Sequence, residues 1–124
     1  HADHSSAYVD GNEIFYGGEP MGYVIKFENG YTIYHAGDTN VFGDMALIAE
    51  LYEPELALLP IGDAYTMSPR EAAKAVRLLK TKHVIPTHFG VFDFLTGRPS
   101  ELSALLSDIE DLTVYDINPG DIIE

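Results

Sequence analysis

The sequence predicts a domain of the α/β class: a β-hairpin followed by alternating strands and helices. Three observations carry that prediction. Residues 21–36, MGYVIKFENGYTIYHA, set two β-rich runs on either side of Asn29-Gly30. Residues 56–62, LALLPIG, form a short apolar run bounded by proline and glycine, the pattern of a strand buried on both faces. Ser68-Pro69-Arg70-Glu71 carries the residues of a capping box, so a helix opens soon after that strand.

Taken in order, Asn29-Gly30 fits a type I′ turn, whose two central residues both need positive φ. A two-residue loop there predicts Glu28 opposite Tyr31 and Gly22 close to Gly37. The YGGEP loop, residues 16–20, then lies at the same end as Gly37-Asp38-Thr39. Residues 42–52, FGDMALIAELY, space Met45, Leu47, Ile48, Leu51 and Tyr52 as a helix would. The helix capped by Ser68 runs to about Lys80, with Ala72, Ala75, Val76 and Leu79 facing inward. KHVIPTH (82–88) reads as a strand and PSELSALLSDIE (99–110) as a third amphipathic helix. LTVYDI (112–117) and a short final strand, DIIE (121–124), close the chain.

Right-handed crossovers make successive strands in such an order parallel. The carboxyl ends of strands 31–36, 56–61 and 83–87 then share one edge of the sheet, where ligand sites of open α/β sheets gather. Asp38, Asp63 and His88 fall on that rim.

Composition narrows the function. A length of 124 residues without repeats or low-complexity linkers fits one domain, residues 1–124. A chain of this size buries about two thirds of its unfolded surface. Its 46% apolar residues are enough for a packed core. The net charge of −13, from 20 acidic and 7 basic residues, argues against binding nucleic acid or anionic lipid, which need stripes of Lys and Arg. It is compatible with a cation site and equally with a solvated acidic face. The absence of cysteine excludes disulfides and thiolate chemistry. Apolar runs fall well short of the ~20 residues of a membrane span, so a soluble, cytoplasmic protein is expected. The chain starts at His1, without methionine and inside what reads as structured sequence, and this predicts a fragment, a cleaved product or a trimmed chain.

Each candidate residue has a plain reading beside its chemical one. Asp38 either hydrogen-bonds its own turn or is aimed at a ligand. His88 is either a strand-end packing residue or a ligand, loosened by Gly90 beyond it. His1 and His4, in HADHSS, are terminal or exposed histidines, or donors for a borderline divalent metal such as zinc, manganese or iron. Of the two, His4 is the better donor. His35, one residue inside the corner, is expected to be buried and bonded to backbone, or to sit behind a ligand. His83, at a strand start, is at the wrong end and should face solvent. Tyr65, Thr66 and Met67 either line a pocket or pack as an ordinary loop. Neither Ser5 nor Ser6 sits in a G-x-S-x-G elbow, and no glycine-rich phosphate loop is present.

His4-Ser5-Ser6, GGEPMG (17–22), YHAGDT (34–39), LLPIGDAYTM (58–67) and VIPTHFGVF (84–92), in this order and spacing, resemble the C-terminal half of the metallo-β-lactamase superfamily. The likeness covers almost the whole chain. It is greatest to the branch of metal-dependent hydrolases similar to the ascorbate-phosphate lactonases and to the phospholipase D enzymes acting on N-acyl ethanolamine lipids. The resemblance implies half of an αββα sandwich. It also implies a dinuclear centre of two divalent metal ions, zinc foremost, with manganese or iron as alternatives. By position, His4 would be a ligand of the first metal, Asp38 would bridge both and His88 would complete the second. Asp63 has no ligand role in the family. The implied activity is hydrolysis of a lactone, ester or phosphodiester by a metal-bridging hydroxide, so Asp38 and His88 are the candidate catalytic residues.

One departure is large. The family's H-x-H-x-D-H signature, which supplies four ligands, is absent; HADH imitates only its tail, and 33 residues separate His4 from Asp38, far fewer than the family places between signature and GDT. The N-terminal half is therefore expected on a partner: a half-domain or second chain carrying H-x-H-x-D-H. The chain alone is expected to be inactive, its exposed sheet face and edge seeking that partner or a second copy. A small-molecule substrate follows, with neither nucleic acid nor membrane as partner. The rivals are a non-catalytic interaction or scaffold module that keeps the fold of an enzyme half, and a small doubly wound domain that binds magnesium. The opening hairpin and the HSS segment speak against the last.

Overall fold

The computed structural model describes residues 1–123. Two sheets form. A small antiparallel ribbon joins β1 (Tyr8–Asp10) to β2 (Glu13–Phe15). The main sheet has the order β3 (Tyr23–Lys26), β4 (Thr32–His35), β5 (Leu56–Pro60), β6 (His83–Thr87), β7 (Thr113–Val114). β3 is antiparallel to β4, and every later pair is parallel. Helices α1 (Met45–Tyr52), α2 (Pro69–Leu79) and α3 (Pro99–Leu105) connect them. The expected α/β class and its element order are observed.

Burial separates the faces of the sheet. Tyr34, Ala57, Leu59 and Val84 point to one side and are buried in one cluster with Ala72, Ala75, Val76 and Leu79 of α2, Met45 of α1 and Leu102 of α3. Ile33, Leu56, Leu58, His83 and Ile85 alternate with them, point to the other side and are only half-buried. All three helices thus contribute to one core, on one face, while the second face keeps an apolar surface of its own. A groove of about 600 Å³ runs along it, lined by Tyr31, Leu56, Ile85, Tyr115, Ile117 and Ile123 among others. Inside the covered core the Tyr34 hydroxyl has no partner, and burial pushes its pKa up to about 12.

Local chemistry explains the helices. Ser68 and Glu71 form the reciprocal capping box at the start of α2. Glu53 (φ 45°) and Lys80 (φ 54°) end α1 and α2 in the left-handed conformation, each N–H bonding back to a helical carbonyl, of Ala49 and Val76. α1 starts at Met45 because Phe42-Gly43-Asp44 is spent in a turn. α3 stops at Leu105 rather than running to residue 110, and the chain continues as turns through Asp111.

The hairpin differs from its expected register by one residue. Tyr23 pairs with His35 and Lys26 with Thr32, so Phe27, not Glu28, stands opposite Tyr31. Only Gly30 has positive φ, at 89°. The turn is therefore a three-residue loop ending in a left-handed glycine rather than a type I′ turn. Asn29 accepts a hydrogen bond from the Tyr31 N–H (3.0 Å) instead of taking positive φ itself. This register puts Val24 beside Tyr34 on the core side. At the other end Gly22 lies against the Ala36 carbonyl and Gly37 against that of Met21.

Two further expectations change. The β1–β2 ribbon was not foreseen, although Gly11-Asn12 between two β-rich runs is its signal; Asp10 pairs with Glu13, and Gly11, at φ 60°, opens the two-residue loop. Residues 121–123 form no strand: Asn118-Pro119-Gly120-Asp121 closes as a turn, with Asp121 capping the Asn118 N–H (2.8 Å). The last residue of the expected strand, Glu124, lies outside the described residues.

Candidate metal centre

The parallel order of β4, β5 and β6 brings their carboxyl ends to one edge, as the sequence predicts. There His88 Nε2 stands 3.7 Å from Asp38 Oδ2. Both side chains are open to solvent, at 30% and 52% exposure. That separation is too long for a hydrogen bond. Two donors each about 2.1 Å from one zinc ion at a tetrahedral angle stand about 3.4 Å apart, so the pair suits a shared cation.

The backbone holds each group in place. Asp38 follows Gly37, whose φ of 67° only glycine takes freely and whose missing Cβ would lie 2.8 Å from the Met21 carbonyl oxygen. His35, expected buried, is exposed; its Nδ1 accepts the Gly37 N–H at 3.1 Å and braces the corner from the open face. The alternation along β4 gives the core side to Tyr34 and leaves His35 the other. Thr39, fully buried, accepts a hydrogen bond from the Asp3 N–H (2.8 Å), and the Asn40 N–H bonds to the Asp3 carbonyl (2.9 Å). The segment before β1 is thereby docked on the Asp38 corner.

His4 follows the docked Asp3. Its Nδ1 lies 2.6 Å from the Ser5 carbonyl oxygen. A carbonyl only accepts, so Nδ1 carries a proton, the tautomer whose neutral ring keeps the lone pair on Nε2. Even so, among the described residues no three His, Asp or Glu side chains converge on one cation-sized point. The structure joins Asp38 and His88, and brings the backbone beside His4 to the same corner without adding its ring to the pair. His1 packs edge-on against Phe42.

His88 itself sits at φ 53°, an unusual conformation for a residue with a side chain. Gly62 explains how it fits: a Cβ on Gly62 would lie 2.0 Å from the His88 carbonyl oxygen. The ends of β5 and β6 therefore touch backbone to backbone. Nδ1 of His88 is buried and unpartnered.

Asp63 is on the rim as expected, but its carboxylate accepts the N–H of Ala64 (2.8 Å), a local turn role. Asp63 (φ 69°) and Ala64 (φ 58°) form a tight loop closed by the bond from the Asp63 N–H to the Met67 carbonyl. In that loop Tyr65 is exposed, whereas Met67 and Thr66 are buried, the Thr66 hydroxyl without a partner. His83 lies at the opposite end of β6, as expected, yet it is half-buried rather than solvent-facing. It stacks on Tyr115, with Nδ1 3.0 Å from the phenol oxygen. Tyr115 is 32 residues away in sequence, which is why no local pattern reveals the contact.

The beta-lactamase superfamily domain matches residues 1–89, and the chain belongs to the metallo-β-lactamase superfamily. Among curated relatives, a UPF0173 metal-dependent hydrolase of Koribacter versatilis is 53% identical over 121 residues, covering 98% of this chain and 51% of that protein. One from Solibacter usitatus is 56% identical over 120 residues, with 97% and 52% covered. The metallo hydrolase Igni18 of Ignicoccus hospitalis superposes with a TM-score of 0.83 at 37% identity, over 98% of this chain and 48% of the other. The chain spans about half the length of the relatives it matches. These likenesses agree with the expected fold, which here is a fragment of the sandwich: a five-stranded sheet with helices on one face, and a two-stranded ribbon. No helix of the described residues is long and apolar enough to cross a membrane.

Proposed function

We propose that this chain is the C-terminal half of a metal-dependent hydrolase that cleaves a lactone, ester or phosphodiester, with Asp38, His88 and His4 among the ligands of two divalent metal ions. The observation that carries this reading is the Asp38–His88 pair, 3.7 Å apart at the carboxyl edge of the sheet. The names of the relatives support the reaction class.

Divalent metal held here supplies Lewis acidity and lowers the pKa of a coordinated water toward neutrality. The residues of this chain supply position. Asp38 offers two carboxylate oxygens from a corner that Gly37, His35 and Thr39 immobilise. His88 offers Nε2 from a backbone wedged against Gly62. His4 offers Nε2 because Nδ1 is committed to Ser5. With no cysteine and no activated serine, the attacking oxygen comes from water.

Three donors spread over two metals fall short of the three or four that zinc takes at each site. The remaining ligands are assigned to an N-terminal half carrying H-x-H-x-D-H, which the half-buried apolar face of the sheet is suited to receive. Turnover of a simple lactone and of bis-p-nitrophenyl phosphate, with zinc or manganese, tests this. Activity should appear only when the chain is combined with such a half. Efficient turnover by the chain alone would refute the division of the site.

One observation favours a second reading, a non-catalytic module: no three-ligand cluster exists among the described residues. Elemental analysis of the combined protein decides between them. Bound metal that falls at least tenfold with Asp38→Ala supports the hydrolase, and metal-free protein supports the module.

A further inference from the structure

The loops that follow β5 and β6, on the sheet edge that carries Asp38 and His88, hold three exposed aromatic rings. Tyr65 follows β5, and Phe92 and Phe94 follow β6; they are 66%, 59% and 51% exposed. Phe92 and Phe94 stack with centroids 5.4 Å apart and planes 5° from parallel. Tyr65 meets Phe94 edge-on at 5.9 Å. Rings from two separate loops thus form one continuous surface while staying open to water. Large apolar groups so exposed and so contiguous mark a binding surface.

The loops that carry the rings are braced. Gly97 packs so closely on β5 that a Cβ there would fall 1.8 Å from the Ile61 carbonyl oxygen. Gly62 packs on His88 in the same way. Leu95, buried at 3% exposure, anchors the loop between the two phenylalanines and Gly97. Its N–H bonds to the Phe92 carbonyl (2.9 Å), and the Gly90 N–H to its own carbonyl (3.2 Å). Arg98 reaches back to the carbonyls of Leu95, Thr96 and Gly97 at 2.9, 2.9 and 2.8 Å. The exposed rings are therefore held by a well-bonded scaffold, a preformed surface that loses little entropy on binding.

Charge selects what this surface receives. The rim loops 37–44, 62–68 and 88–97 contain Asp38, Asp44, Asp63 and Asp93 and no lysine or arginine. Of the guanidiniums flanking these loops, Arg98 is spent on backbone carbonyls and Arg70 lies on the first turn of α2 near Glu71. Away from the metals that Asp38 and His88 would hold, these loops offer carboxylates and no lysine or arginine, so the arm that reaches the rings is apolar and uncharged.

We propose that Tyr65, Phe92 and Phe94 form the specificity wall of the site, receiving the apolar acyl arm of a neutral ester or lactone whose carbonyl lies at Asp38 and His88. The placement of the carbonyl rests on the hydrolase reading above; the wall itself does not. Two measurements separate them. In the first, the protein combined with its N-terminal half hydrolyses p-nitrophenyl acetate and p-nitrophenyl octanoate. The Phe92→Ala/Phe94→Ala variant should raise KM for the octanoate about tenfold or more and leave the acetate within about twofold. An equal effect on both esters overturns the proposal. Absence of turnover with either ester counts against the hydrolase reading alone, and the second measurement then decides.

There, the non-hydrolysable neutral ketones 2-octanone and 2-butanone are titrated into wild-type and double-variant protein by NMR. Preferential binding of 2-octanone that shifts the Phe92 and Phe94 ring resonances and disappears in the variant supports the wall. Equal binding by wild type and variant, or tighter binding of dimethyl phosphate than of 2-octanone, overturns it. So does a mass by light scattering that halves in the variant while ketone selectivity is unchanged, since the rings would then be a contact between chains.

Discussion

Leu58 and Leu59 are neighbours on β5 with opposite fates. Leu59 is sealed at 0% exposure beneath the three helices, while Leu58 is half-buried on the face that no helix covers. The same contrast repeats along β6 between Val84 and Ile85. One face of the sheet supplies the core that folds this chain. The other is also apolar in sequence and lacks a cover among the described residues, which is the surface the proposed N-terminal half would receive. The Asp38–His88 pair sits on the edge between the two faces.

The contrast breaks most sharply at the leucine pair. Leu59→Ala leaves a cavity in a closed core and should lower stability by roughly 3 kcal/mol. Leu58→Ala in the chain alone should cost less than about 1 kcal/mol, because its site is open and can relax. Urea denaturation of both variants measures this. Equal losses would mean that the second face is already covered in solution by another copy. Combination with the N-terminal half should restore the sensitivity of Leu58.

Next in size is the contact that seats His88. Gly62→Ala puts a methyl 2.0 Å from the His88 carbonyl oxygen and 3.2 Å from Leu95 Cδ2. Backbone must move on one side, so a stability loss of about 1–3 kcal/mol is expected, together with weaker zinc binding by the combined protein. Gly43→Ala is the matched control: a Cβ there meets nothing within 4 Å, and its φ is not positive. If both variants bind zinc as the wild type does, the seating of His88 is not what positions the ligand.

Much of this was legible in the sequence. Three short strands, the helices between them and the right-handed crossover rule were enough to put Asp38, Asp63 and His88 on one rim, because strand direction is a global consequence of connectivity. What escaped depends on finer balances. Asn29-Gly30 announced a hairpin correctly, but its register was settled by Val24 packing beside Tyr34 and by the Asn29 side chain bonding to Tyr31. Alternation along β4 exposed His35, and a partner remote in sequence claimed His83. Gly11-Asn12 was a readable turn signal that the flanking polar residues masked. The aromatic surface escaped because loops 62–68 and 88–97 meet only when β5 and β6 pair.

The smallest predicted effect tests the covered side through its best-defined helix start. Ser68 donates to Glu71 from both its N–H (2.8 Å) and its hydroxyl (2.7 Å). These bonds, backbone first, hold the Glu71 carboxyl below the usual carboxylate pKa. A carboxyl whose folded pKa is depressed contributes stability that is fully present above its unfolded value, about 4.3. That contribution fades as pH falls from about 5 through the folded pKa, because the folded state binds the proton less readily than the unfolded chain does. Ser68→Ala removes the hydroxyl while keeping the backbone donor. It should cost about 1 kcal/mol at pH 7. Because the largest cause of the shift survives, the acid-side slope should shrink without vanishing, and Glu71→Gln should remove Glu71's part of it altogether. Thermal unfolding between pH 3 and 7 reads both. An acid-side slope unchanged in Glu71→Gln would place the pH sensitivity elsewhere, with the exposed Asp108 at its Arg77 ion pair the next group to examine.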